Sequence, residues 1–287
     1  MARTISDSFL QLKKNLSITS IQQSTVSTRQ TNIRNVVQND LKVIDSFLTG
    51  SYSRDTMIAP LSEADIDIFL VLDASYYAVA GQSNLLDRLR RALLKTYTKT
   101  PKISRNGQAV TITFTDFVVD VIPAFNRQGG GYLIPDTHTS TWIETNPKVH
   151  VKYISDANAA HSGQLIPLIK MIKRWNKYIN HPFVSFYLEL ITVDILTNIS
   201  ITDFPSGMRY FFEKGRNTIK YLANDPVSFG GQINGLDSIS TVQDAVSRFE
   251  TAYNRAVKAE DYAKRGQIQY AVDEWRKIFG NYFPAYG

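Results

Sequence analysis

Three carboxylates and a Gly-Ser pair are the residues of this 287-residue chain whose types and spacing could do chemistry together. Asp65 and Asp67 stand two apart in ADIDIFLVL, a run of β-formers, so on a strand both project from one face. Ile66, Ile68 and Leu70 then take the other face, as a packed sheet requires. Asp120 interrupts the apolar run FVVDVIP, where an uncompensated charge is costly. Brought together, three carboxylates repel and at least one pKa rises, unless cations sit among them. Mg2+ suits that place, because it is a hard ion that favours carboxylate oxygens and substrate phosphates. Upstream, TGSYSRDT supplies Gly50, which lets a phosphate approach the backbone, and Ser51, which offers a hydroxyl and an N–H. Each feature alone is weak, since D-x-D pairs also occur at solvated strand ends and Gly-Ser also closes a helix. Their order along the chain is the stronger signal.

A second group lies further on. LIKMIKRWNK sets Lys170 and Lys173 on roughly one helix face. Between residues 148 and 177, Lys148, Lys152, Lys170, Lys173, Arg174 and Lys177 face only Asp156, a local excess of five in a chain of formal net charge +6. A solvated lysine face is the plainer reading; a basic patch opposite an acidic metal site would instead hold a triphosphate whose other end chelates the metal. SFYLELITV adds Ser185, Phe186 and Tyr187, the two aromatics reading as core by periodicity. The absence of cysteine excludes disulfides, Cys-ligated zinc, iron–sulfur clusters and thiol nucleophiles. His138, His150, His161 and His181 lack the i, i+4 spacing of a helical zinc site. No apolar run approaches the ~20 residues that span a bilayer. The N-terminus carries Asp7 and has no continuous apolar stretch, so it does not read as a signal peptide, and a cytoplasmic location is expected.

The elements that must position these residues follow from periodicity. A helix is expected at about residues 6–17, then a Ser/Thr-rich stretch, SITSIQQSTVSTRQ, and a second helix through Ile33, Val37, Leu41, Ile44 and Leu48 that stops at Gly50. ADIDIFLVL reads as a strand, NLLDRLRRALLKTY as an amphipathic helix, and AVTITF and DFVVDVIP as two more strands. NRQGGGYLIPDTHTSTW reads as a loop between lobes. Four later segments, QLIPLIKMIKRWNKY, SFYLELITVDILTN, TVQDAVSRFETAYNRAVKAEDYAKR and QIQYAVDEWRKIF, carry helical spacing. The expected fold class is α+β, with a mixed sheet and helices over residues 1–130, a helical lobe over 131–287 and a cleft between them. No internal repeat is evident.

GSYSRDT, EADIDIFLVL and FVVDVIPAF together resemble the catalytic signature of the polymerase-β-like nucleotidyltransferases. That resemblance implies a Gly-Ser turn holding the donor triphosphate and three carboxylates holding two Mg2+ ions, with Mn2+ as a substitute. Asp55 departs from the pattern, since relatives often carry Gly there; an extra acid beside a triphosphate is expected to face solvent. PLIKMIKRWN followed by SFYLELITV is similar to the order in oligoadenylate synthetases and cyclic GMP-AMP synthase. With TNPKVH, NDP and EWRKIFGNYFP the resemblance runs almost end to end and points to the bacterial CD-NTases, the cyclic-oligonucleotide synthases of antiphage signalling.

The resemblance implies that Asp65, Asp67 and Asp120 are catalytic and bind metal, and that Gly50, Ser51, Lys170, Lys173, Ser185 and Phe186 bind nucleotide, Phe186 by stacking on a base. Asn158 falls where family members face the acceptor base and is the candidate for base selectivity. The expected reaction joins nucleoside triphosphates into a cyclic di- or oligonucleotide, with release of pyrophosphate. Expected partners are the nucleotides and a separate effector protein that binds the product, with no membrane, no direct DNA activation and a monomeric enzyme. Two other readings compete. One is a template-independent transferase making linear oligonucleotides or modifying another acceptor. The other is a non-catalytic nucleic-acid sensor, which predicts an incomplete acid triad, whereas all three positions are filled. The terminal PAYG reads as a tail without a role.

Overall fold

The computed structural model describes residues 3–100 and 102–287. The chain divides into two compact units: a sheet unit of Ile18–Val151 with Val227–Gly230, and a helical unit of the chain up to Ser17, Lys152–Pro226 and Gly231–Gly287.

In the sheet unit, α2 (Ser20–Gln38) follows the first helix, α1 (Ile5–Asn15), and precedes β1 (Val43–Leu48) and the single turn α3 (Gly50–Ser53). Next come β2 (Asp65–Leu72), α4 (Gln82–Thr96), β3 (Lys102–Asn106), β4 (Ala109–Thr113), β5 (Val118–Asn126), β6 (Tyr132–Asp136) and β7 (Thr141–Thr145). Among the described residues these seven strands form one mixed sheet in the order β1-β2-β5-β4-β3, with β6 on β5 and β7 on β6. The pairing of β2 with β5 is parallel, which demands a crossover, and α4 lies in the connection. Val26, Ile33 and Val37 of α2 and Leu85, Leu86, Leu89 and Leu93 of α4 share a buried cluster with Ile66, Ile68, Leu70 and Leu72 of β2. That burial fixes the strand's register, because a slip by one residue would send Asp65 and Asp67 into the core.

Two expectations change here, and the Ser/Thr-rich stretch gains an element. The helix expected through Ile33–Leu48 ends at Gln38, and Leu41, Ile44 and Leu48 lie beyond it, the last two on β1 antiparallel to β2. Their spacing fits a period of either 3.6 or 2, and the β-rich VIDSFL gains its hydrogen bonds from the sheet; Ile44 is exposed, as no core-facing helix position would be. The Ser/Thr-rich stretch is the first half of α2, opened by a capping box between Thr19 and Gln22. Ser and Thr are modest helix formers, and the packing of Val26, Ile33 and Val37 overrides that preference. The segment expected as a loop is the glycine-rich β5–β6 turn and most of the β6–β7 hairpin, and it extends the sheet rather than linking lobes.

The helical unit contains α1, the greater part of α5 (Pro147–Ala160), α6 (Leu165–Tyr178), α7 (Ser185–Leu196) and α8 (Phe204–Thr218). A two-residue ladder of β8 (Ala223–Asn224) and β9 (Gln232–Ile233), α9 (Val242–Lys264) and α10 (Ile268–Phe279) complete it. Trp175, Phe183, Phe212 and Phe249 form one aromatic centre. Phe9 of α1 forms another, with ring centroids 4.8 Å from Trp275 and 5.1 Å from Phe283. The expected cut after residue 130 is therefore displaced: α1 packs with the C-terminal helices, and the β6–β7 hairpin packs with the sheet. No described helix is long and apolar enough to cross a membrane.

Phe9→Ala is expected to destabilise the helical unit by about 3–5 kcal/mol, since a fully packed ring leaves a cavity in a rigid aromatic cluster. Chemical denaturation followed by tryptophan fluorescence checks this; a loss below about 1 kcal/mol would mean that α1 adds little to the unit.

Candidate active site

The parallel register of β2 and β5 sets Asp67 directly beside Asp120, and Asp65 two residues earlier on the same face of β2. On that face the acids give way to Phe69 and Val71, which pack with Ala124, Tyr132 and Ile134. One end of the face is thus polar and the other closed by core. Thr111 on β4 lies opposite Asp120, and its hydroxyl donates to Asp120 Oδ1 at 2.5 Å. The Asp65 carboxyl is held above the usual carboxylate range, first by its partial removal from water and then by the negative charge of Asp120. Both effects favour a bound cation, which would cancel the repulsion.

The Gly-Ser turn is built against these acids. Thr49 N donates to Asp67 O at 2.9 Å, and the chain turns at once through Gly50, whose φ of 63° lies in the left-handed region. A β-carbon at residue 50 would stand 1.8 Å from Asp67 Oδ2, so the carboxylate occupies space that only glycine leaves. Ser51 O accepts from Thr56 N at 2.9 Å and Met57 N at 3.0 Å, and the buried Thr56 thereby locks the turn from below. Asp55 has a φ of 55° and is exposed. The position favours glycine for its backbone, and aspartate is among the residues that tolerate it. What precedes Gly50 is the strand β1, not the helix expected from the sequence.

The donors suit Mg2+ of the kind that arrives with a nucleotide. Among the described residues no three acidic or histidine side chains are placed so as to hold a metal ion by themselves. Mg2+ commonly takes one or two carboxylates and completes its shell with water and substrate phosphates, so an open set of acids fits it.

The other candidates belong to the helical unit. Lys170 and Lys173 of α6 are 9% and 8% exposed, and Lys173 Nζ lies 3.1 Å from Oε1 of Glu189, which is wholly buried on α7. Ser185 and Phe186 open α7 half-buried, while Tyr187 is core, its hydroxyl donating to Tyr221 O at 2.8 Å. Asn158 Oδ1 accepts from Ile166 N at 2.9 Å, so this amide ties the end of α5 to the first turn of α6. The basic run of 148–177 does not form a single face. Lys148 lies over Phe47 at 4.9 Å in the sheet unit, Lys152 pairs with Asp156, and Arg174 donates to Phe279 O and stacks on Tyr282.

Two polar residues escaped the sequence reading. Thr111 gives no signal of its own, because a threonine in AVTIT is ordinary strand composition. Glu189 left one: a lone charge within SFYLELITV, which a buried helix tolerates only with a partner.

A mixed sheet with paired acids on one strand, a third acid in register on its parallel neighbour and a Gly-Ser turn packed against them has the form of a nucleotidyltransferase centre. The chain belongs to the family of the Second Messenger Oligonucleotide or Dinucleotide Synthetase domain, matched over residues 3–158, the bacterial CD-NTases. It is 26% identical to a probable cyclic nucleotide synthase of Bacillus cereus, over 83% of this chain and 81% of that protein. It is 25% identical to the cyclic AMP-AMP-AMP synthase of an Acinetobacter species, over 93% and 83%. The solved structure of Escherichia coli CdnC with ATP superposes with a TM-score of 0.76 at 19% identity, covering 98% of this chain and 99% of that one.

Proposed function

We propose that this nucleotidyltransferase joins nucleoside triphosphates into a cyclic di- or oligonucleotide, using Mg2+ held at Asp65, Asp67 and Asp120. The observation that supports it above the others is the register of Asp67 beside Asp120, with Asp65 on the same face and Gly50 against Asp67. Bound Mg2+ would polarise the α-phosphate and ease deprotonation of the acceptor hydroxyl. Asp65 and Asp67 hold the donor side and Asp120 the acceptor side, while Thr111 aims the Asp120 carboxylate. Gly50 and Ser51 receive the donor's β- and γ-phosphates, and Lys170 and Lys173 offset their charge. Ser185 and Phe186 hold the nucleoside.

In each transfer a ribose hydroxyl oxygen of the acceptor forms the new bond to the donor's α-phosphorus. The bond from that phosphorus to the bridging oxygen of the β-phosphate breaks, pyrophosphate leaves, and the hydroxyl proton passes to solvent. A linear product that retains its 5′-triphosphate closes by the same exchange, its own terminal hydroxyl attacking its own α-phosphorus. Cyclisation leaves no phosphomonoester end. The test follows from that difference: the full chain is incubated with Mg2+ and α-labelled ATP, GTP, CTP and UTP, and the product is treated with phosphatase and analysed by mass spectrometry. A phosphatase-resistant cyclic mass is expected. A linear mass would overturn the ring and support the simple transferase, and no phosphodiester product under any nucleotide mixture would overturn both. A cyclic product is a diffusible signal for a separate effector protein, and the protein is read as a cytoplasmic monomer.

Thr111→Val keeps the shape of the side chain and removes the hydroxyl that orients Asp120. The Mg2+ concentration for half-maximal rate is expected to rise about tenfold, the lower range for loss of an outer partner of a metal ligand. Titration of Mg2+ checks this, with Mn2+ binding followed by electron paramagnetic resonance as a readout independent of turnover.

A further inference from the structure

In the helical unit a charged pair is withdrawn almost wholly from water. Glu189 is 0% exposed in the apolar run of α7, and its Oε1 lies 3.1 Å from Lys173 Nζ on α6. Removing two such charges from water costs several kcal/mol per ion and is repaid only by good geometry. As a device for stability alone the pair is poor, because apolar residues of similar volume do as well or better. A buried ammonium without a carboxylate partner is driven toward the neutral amine or swings out to solvent, whereas an adjacent carboxylate keeps it charged and fixes its direction.

We propose that Glu189 is a positioning residue for nucleotide binding: it holds Lys173 charged and aimed so that the ammonium engages the donor's phosphates. This rests on the reading of Lys173 as a phosphate contact. An ammonium has three donors in a tetrahedral array, so a fixed bond to Oε1 restricts the directions of the other two. The anchor itself does not move, since Glu189 sits in the middle of α7 among Leu188, Leu190 and Ile191, all buried. Glu189 does not touch the nucleotide in this scheme. It acts through Lys173 alone.

A double-mutant cycle on the full-length protein tests the proposal, with Mg2+ and inorganic triphosphate as the probe in calorimetry. Glu189→Gln, nearly isosteric, is expected to weaken triphosphate binding about tenfold, the worth of one hydrogen bond to a charged group. Lys173→Met is expected to weaken it at least as much. In the Lys173→Met background, Glu189→Gln should weaken binding no further, because the proposed route to the ligand is gone. Glu189→Leu with Lys173→Met removes both charges together; it should stay folded, as removal of a buried pair often does, and bind triphosphate like Lys173→Met alone. Glu189→Asp, which keeps the charge but withdraws it by one methylene, should recover part of the binding lost in Glu189→Gln. Equal losses from Glu189→Gln in both backgrounds would overturn the proposal, since they would show an effect that bypasses Lys173. If Lys173→Met weakens binding and Glu189→Gln does not, the positioning role falls while the reading of Lys173 stands. If Lys173→Met binds triphosphate like the unaltered protein, both fall.

Discussion

Asp67→Asn is expected to reduce phosphodiester formation by on the order of 10³-fold, with the protein still folded. Asp67 joins the two halves of the centre: it lies beside Asp120 in register, and its carboxylate fills the space left by Gly50. Asparagine keeps the size of the side chain, so neither the sheet nor the turn has reason to move. What is lost is a negative charge, and with it a strong oxygen donor for a divalent ion. Product formation from labelled nucleotides and thermal unfolding with and without Mg2+ check both halves. Full product formation by Asp67→Asn would sink the assignment of the centre. Inactivity with an unfolded protein would show only that asparagine cannot replace Asp67 structurally, and Asp120→Asn then carries the same test.

Gly50→Ala is expected to lower product formation at least a hundredfold and to cost about 1–2 kcal/mol of stability. The stability term comes from the left-handed φ of 63°, which an alanine adopts at a penalty. The larger effect comes from geometry, because the new methyl would stand 1.8 Å from Asp67 Oδ2. Either the turn lifts away from β2, carrying Ser51 with it, or Asp67 is pushed off its position. Both outcomes separate the Gly50 turn from Asp65, Asp67 and Asp120. Gly130→Ala separates the two effects: φ there is 99°, but no atom lies within 4 Å of a β-carbon. It should cost some stability and leave product formation intact. Comparable activity in Gly50→Ala and the unaltered protein would show that the turn and the acids do not act as one site.

Much of the centre could be read before any fold was known. Asp65 and Asp67 alternate with Ile66 and Ile68, and alternation on a half-buried strand leaves a single choice of faces. Asp120 within FVVDVIP announced a compensated charge, although only pairing shows that its neighbour is Asp67. Gly50 was legible as a turn, but not its reason, which is the carboxylate beneath it. The boundary between α2 and β1 was hidden because Ile33, Val37, Leu41, Ile44 and Leu48 satisfy helical spacing throughout. The chain leaves that helix at Asn39 and Asp40 because β2 offers Val43–Leu48 an antiparallel partner. Local preference has no access to such an offer.

Composition and pattern by themselves determined the class of chemistry: acids in strand alternation, a glycine turn before them and no cysteine. These are constraints of side-chain type and period, carried within a few residues. Tertiary structure alone decided which residues meet across long separations. It set Thr111 on Asp120 and Lys173 on Glu189, gave Asn158 its tie to α6, dispersed the basic run, and placed α1 with α10, more than 250 residues later in the chain. Burial is the physical reason. A hydrogen bond or ion pair between distant residues exists only after apolar faces have closed around it, and those faces are selected by the whole core.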